Sequence, residues 1–175
     1  MAENKIELEI VTPRGRALTA SVDEVTAPSV NGELGVLPGH LPLLAALQSG
    51  VVSYRVSGEQ KKCAVGPGFA EIGPEKLLIL TDEFCEREGL DPVPLRKELA
   101  EIDAQLDKLI AESTVEAPAA AQRRELAARE NWIAAQLELY GDPPAPTLRT
   151  EEFGPTPPPA DENGGDESSG TKHEK

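Results

Sequence analysis

Thirteen residues constrain this chain more than any others: Gly32-Glu-Leu-Gly-Val-Leu-Pro-Gly-His-Leu-Pro-Leu-Leu44. Glycine reaches positive φ at little cost, whereas proline locks φ and removes a hydrogen-bond donor. At this density of both, the stretch predicts an irregular path with no regular helix or strand running through it. Six aliphatic residues, Leu34, Val36, Leu37, Leu41, Leu43 and Leu44, are threaded between the turn residues. A solvated loop does not need them. The segment is built to pack, either on its own core or on a partner.

The flanks read as short strands separated by turn signals. Ile6, Leu8 and Ile10 alternate with Lys5, Glu7 and Glu9, the period of a half-buried strand. Further strands are expected around 17–22, 25–28, 51–56, 61–65, 69–72 and 77–81. Asn31-Gly32, Ser57-Gly58 and Gly73-Pro74 mark turns. Such regular spacing predicts a β-sandwich of eight to ten strands over residues 1–86.

The pattern then changes. Asp91-Pro92 is a helix start, with Asp as cap and Pro at the first helical position. Leu95, Leu99, Ile102, Leu106 and Leu109 follow at steps of 4, 3, 4 and 3, a heptad seam, with Glu98, Glu101, Asp103, Asp107 and Lys108 outside it. The pattern breaks at 113–117, and Pro118 opens a second, alanine-rich helix running to about Tyr140. Its seam of Leu126, Ile133, Leu137 and Tyr140 is sparser. The short connection implies an antiparallel hairpin over 87–140. Its alanine-rich face holds the partner loosely, because little apolar area is removed from water, so the second helix is able to detach. Residues 141–175 hold seven prolines, five glycines, eight acids and three bases. That composition predicts a disordered acidic tail.

Catalytic chemistry finds no footing. His40 is the single histidine outside the tail, and nothing pairs it with Cys63 or Cys85. It reads as a hydrogen-bonding residue of the loop or as a partner contact. No cluster has metal-ligand spacing, and Gly66-Pro-Gly68 is followed by no phosphate-loop lysine. The two cysteines have the spacing of reduced structural thiols. A net charge of −14 excludes nucleic acid and anionic lipid as direct partners. The charged start, Met-Ala-Glu-Asn-Lys-Ile-Glu, has no secretory character, and no apolar run approaches the length of a membrane span. Any membrane association is expected to come through another protein. Arg123, Arg124 and Arg129 are the one basic concentration. They are either a solvated helix face with pairs such as Glu125 with Arg129, or a docking patch for an acidic surface.

The thirteen-residue stretch, followed by Leu47 and Gly50, resembles the signature of the epsilon subunit of F-type ATP synthase, the counterpart of the mitochondrial delta subunit. Gly66–Ile72, Leu77–Leu80 and Thr81-Asp82 match the end of that family's β-domain in order and spacing. The resemblance covers about residues 5–140. It implies a non-catalytic central-stalk subunit whose sandwich binds the gamma subunit and the c-ring. It further implies a helical hairpin that folds down on the sandwich, or extends toward the catalytic alpha and beta subunits and inhibits ATP hydrolysis. By motif position, Glu33, His40, Leu41 and Pro42 would meet gamma and the c-ring, and Arg123, Arg124 and Arg129 the beta subunit. The implied location is peripheral, on the cytoplasmic face of the inner membrane, with protons as the coupled ion. Some members bind ATP through an Ile/Leu-Asp-x-x-Arg-Ala motif entering the first helix. Here Leu90-Asp91 is present, but Pro94 takes the arginine position and Arg96 comes two residues late. Asp91 and Arg96 are the weak remaining candidates, and the departure speaks against a bound nucleotide. The alternative readings are a stand-alone sandwich and coiled-coil adaptor, or a nucleotide-sensing regulator, outside ATP synthase.

Overall fold

A computed structural model describes residues 5–111 and 117–145. Ten strands precede two helices. The strands are β1 (Ile6–Thr12), β2 (Gly15–Val22), β3 (Glu24–Ser29), β4 (Gly32–Val36), β5 (Leu43–Leu47), β6 (Gly50–Val56), β7 (Glu59–Val65), β8 (Gly68–Ile72), β9 (Lys76–Thr81) and β10 (Phe84–Glu86). The helices are α1 (Pro92–Ala111) and α2 (Ala117–Tyr140). The strands follow the order β10-β7-β6-β3-β5-β8-β9-β1-β2, with β4 on β3. The sheet folds over one aliphatic core. Ile6, Leu8 and Ile10 of β1 bury fully there, as the alternation predicts, together with Val52, Leu77 and Ile79. β9 runs between β8 and β1, and its pairing with β1 is parallel.

One expectation is corrected. Two strands do enter the glycine- and proline-rich stretch. β4 occupies Gly32–Val36, pairing Leu34 with Ala27 and Val36 with Val25, and β5 begins at Leu43. Only residues 37–42 are irregular. Gly32 and Gly35 lie on β4 without breaking it, each in register opposite Ser29 and Thr26 of β3; the prolines fall between the strands.

α1 starts where Asp91 caps it, the Val93 N–H donating to Asp91 Oδ1 at 3.0 Å. α2 ends at Gly141. The Gly141 N–H reaches the Glu138 carbonyl and the Asp142 N–H reaches that of Leu137, the two bonds of a Schellman closure, and Gly141 has φ 102°. The hairpin seam joins Ile102 and Leu106 to Ile133 and Leu137, flanked by Leu95, Leu99 and Leu126. Tyr140, expected in this seam, faces out. α2 has a second buried face instead. Trp132, Ala135 and Leu139 pack on Ala64, Val51, Cys85 and Leu90, seating the hairpin on β6, β7 and β10. The expected break at 113–117 and the acidic tail fall, apart from residue 117 and residues 141–145, outside the described residues.

On the outer face of β1, the Glu9 carboxylate lies between Arg16 Nε at 2.7 Å and Lys76 Nζ at 2.5 Å. The Lys76 hydrogen bond, with the Arg16 charge, holds its pKa below the ordinary carboxylate value. A depressed folded-state pKa stabilises the fold above the unfolded-state value and ceases to do so as pH falls through the folded one. Glu9→Gln should therefore flatten the decline of the unfolding midpoint below about pH 4.5. Parallel wild-type and variant curves from pH 7 to 3 would remove Glu9 from the acid limb.

Candidate functional site: an apolar docking face and an arginine-bearing hairpin

The register of four strands builds an apolar row on the outside of the sandwich. Ala46 of β5 sits opposite Phe69 of β8, Phe69 opposite Leu80 of β9, and Leu80 opposite Val11 of β1. Side chains alternate across a strand, so these four share the face that Ala70 and Ile79 leave when they point into the core. Leu44 joins them two residues before Ala46. Leu44 is 69% exposed, Phe69 56% and Leu80 47%. A sandwich that ended in water would place polar residues here.

The loop at 37–42 extends this face. The Gly39 N–H donates to the Pro74 carbonyl at 2.7 Å and the His40 N–H to that of Leu37 at 3.1 Å, so the loop is pinned to the β8–β9 turn. Leu41 stands at its tip, 80% exposed, with Leu37 also exposed. The aliphatics of the opening stretch thus divide: Val36 is buried, Leu34 is half-buried, Leu43 lies 43% exposed on the core-side register opposite Ile72, and Leu37, Leu41 and Leu44 face out. The last three leave their apolar surface outside the chain's own core. The His40 ring Nδ1 donates to the neighbouring Leu41 carbonyl at 2.7 Å, fixing the ring against its own loop. Glu33 is exposed on β4, opposite Pro28. Leu41 and Pro42 are exposed beside His40. Phe69, Leu80 and Val11, on separate strands, were not among the residues expected in the site. Their signal was available in the apolar residues at outward register positions.

The hairpin arginines separate. Arg124 is exposed, and Arg123 Nε donates to the Ala119 carbonyl at 3.4 Å. Arg129 does not pair with Glu125 as the helical spacing suggested. Its Nε donates to Glu98 Oε1 of α1 at 2.7 Å, and a terminal nitrogen lies 3.7 Å from Glu83 Oε1 at the β9–β10 corner. Asp91 and Arg96 are not brought together either. Asp91 caps α1, while Arg96 Nε donates to Asp142 Oδ2 at 2.6 Å, just past α2.

The two cysteines point apart. Cys63 is buried in the sandwich core, where burial pushes its thiol pKa up to about 12. Cys85 lies half-buried on the other side, beneath α2, and burial raises its pKa too. Neither has the electropositive surroundings of a reactive thiol. Neither described helix is long and apolar enough to cross a membrane.

Residues 5–87 match the family described as ATP synthase, Delta/Epsilon chain, beta-sandwich domain. The chain is 37% identical over 105 residues to ATP synthase epsilon chain 2 of Syntrophotalea carbinolica, covering 60% of this chain and 76% of that one. It is 35% identical over 128 residues to the ATP synthase epsilon chain of Nitratidesulfovibrio vulgaris, covering 69% and 96%. In fold it is similar to a chain in the cryo-EM structure of the Euglena gracilis mitochondrial ATP synthase OSCP/F1/c-ring, with a TM-score of 0.63 at 22% identity over 77% of this chain and 80% of that one. The match to the Nitratidesulfovibrio vulgaris chain runs along nearly the whole of that relative, and the chain belongs to the epsilon-chain family of ATP synthase.

Proposed function

We propose that this chain is a non-catalytic subunit of the central stalk of a proton-translocating F-type ATP synthase. It couples rotation to ATP synthesis, and its hairpin inhibits ATP hydrolysis. The observation that carries this reading is the exposed row of Phe69, Leu80 and Leu44, continued by the pinned loop with Leu41. That band offers apolar area, which drives association without chemistry of its own. It fits the gamma subunit along the strand face and the c-ring at the loop, where His40, Leu41 and Pro42 stand, with Glu33 of β4 as a further contact. Arg123 and Arg124 are the cations offered to the acidic surface of the beta subunit when the hairpin extends. The chain sits peripherally on the cytoplasmic side of the inner membrane, held by these partners.

We place no nucleotide in the subunit. A nucleotide site built on the two candidates would need Asp91 and Arg96 to converge on one ligand, and each is already engaged elsewhere. No observation favours a stand-alone adaptor.

The test is capture by gamma. The full chain should bind purified gamma and enter the assembled enzyme, and a chain stopped after Glu88 should still assemble while hydrolysis rises several-fold. Titrating the free chain with Mg-ATP should give no binding heat. No recovery with gamma sinks the stalk assignment. Unchanged hydrolysis in the shortened chain sinks only the inhibitory role.

A further inference from the structure

We propose that Arg129 is an intramolecular clip: by bridging Glu98 of α1 and Glu83 of the sandwich, it holds the hairpin down. The inference deepens the inhibitory reading above and rests on it for its biological meaning.

Three structural elements meet at one guanidinium. Glu98 takes the hydrogen-bonded side at 2.7 Å, tying α2 to α1. Glu83 takes a terminal nitrogen at 3.7 Å, tying α2 to the sandwich. The second contact is an ion pair beyond hydrogen-bond length, so it orients without locking. Arginine suits this place because its planar fork offers donors in two directions at once.

The sandwich side of the clip is rigid. Thr81, buried at the end of β9, donates to the Pro67 carbonyl at 3.3 Å and to the Glu83 carbonyl at 3.1 Å. The Gly66 N–H donates to the same Glu83 carbonyl at 2.8 Å. The Glu83 side chain packs over Gly66, where an added Cβ would come within 3.0 Å of Glu83 Cβ. The corner therefore presents the carboxylate in one place before α2 arrives. Burial raises the Glu83 pKa, against the opposing pull of Arg129, while the Glu98 hydrogen bond raises that of Arg129.

The clip acts beside an apolar contact. Trp132 and Leu139 bring apolar area to it, where they meet Ala64, Val51 and the half-buried Cys85 of the sandwich, with Leu90 of the connecting segment. Glu83 and Arg129 are both more than one-third exposed, so the pair is a modest bias and not a weld. A modest bias is what an arm that must leave its seat requires, because a ligand or partner has to supply the difference between the two states.

The native cysteines read the clip. Cys85 lies beneath α2 and becomes open to a bulky maleimide when the hairpin lifts, whereas Cys63 reacts only when the sandwich unfolds. In the full chain, Glu83→Gln and Arg129→Gln should each speed Cys85 labelling about two- to five-fold, with rates normalised to the denatured chain. Cys63 should stay at the wild-type rate. At 1 M salt the wild type should approach the variants, and the two substitutions together should add little to either alone. Wild-type Cys85 rates in both variants would overturn the clip, and so would Cys63 accelerating in step with Cys85. The experiment uses no partner, so its failure and the failure of gamma capture are separate results.

Discussion

Gly68→Ala should cost the sandwich about 3 kcal/mol or more, the upper end for overpacking a well-packed site, and lower its melting midpoint by roughly 10–20 °C. Gly68 opens β8, between Leu47 of β5 and Thr81 of β9. A Cβ built there would lie 2.0 Å from the Leu80 carbonyl oxygen and 3.0 Å from Thr81 Cα. The obstacle is backbone, so no rotamer change relieves it. β8 must move away from β9 along the line where the two strands carry Phe69 and Leu80, so docking should fail with stability. Gly35→Ala is the matched control, because nothing lies within 4 Å of its added Cβ. A Gly68→Ala chain melting within about 3 °C of wild type, under the shift expected for even 1 kcal/mol, would show that the close approach of β8 and β9 is not required.

The sandwich was legible wherever one face of a strand is wet. β1 alternates because Glu7 and Glu9 face outward, and its register follows. β5 carries no such signal. Its sequence, Leu-Leu-Ala-Ala-Leu, is apolar on both faces, and Leu44 on the outer one is 69% exposed. A two-residue period disappears when neither side is polar. That two-sided apolarity hid β5 as a strand, under the further cover of Gly39 and Pro42 beside it. β4 was hidden by glycine alone.

The hairpin shows the same loss of signal in helical form. Ile133 and Leu137 form the single seam legible in the sequence, whereas Trp132, Ala135 and Leu139 follow steps of 3 and 4 on a second face. Two apolar faces leave a helix with no single wet side, so its amphipathic pattern fades although both faces are buried. Two faces also explain why α2 rests on α1 and the sandwich at once. The clip was beyond reach of sequence for another reason. Glu83, Glu98 and Arg129 come from three elements, and helical spacing pointed to Glu125 instead. Local spacing gives the pairs a helix could make. Tertiary placement decides which pair forms.

The largest expected effect on binding comes from placing charge on the outer row. Leu44→Asp combined with Phe69→Asp should weaken capture by gamma about 100-fold or more while leaving the melting midpoint within a few degrees. Both residues are more exposed than buried in the free chain, so each new carboxylate remains hydrated there. On docking it would have to shed water against an apolar surface without a counter-charge, which is far more costly than losing the contact alone. Central apolar anchors commonly contribute 2 kcal/mol or more, and each 1.4 kcal/mol is a factor of about ten in the dissociation constant. Val93→Asp supplies the comparison. Val93 is 70% exposed but sits in the first turn of α1, away from the row, and its replacement should leave capture unchanged. If the double variant binds gamma at wild-type strength, the β5–β8–β9 face is not the docking surface. If Val93→Asp loses binding equally, the defect is net charge, and the stalk contact must be sought on the hairpin side.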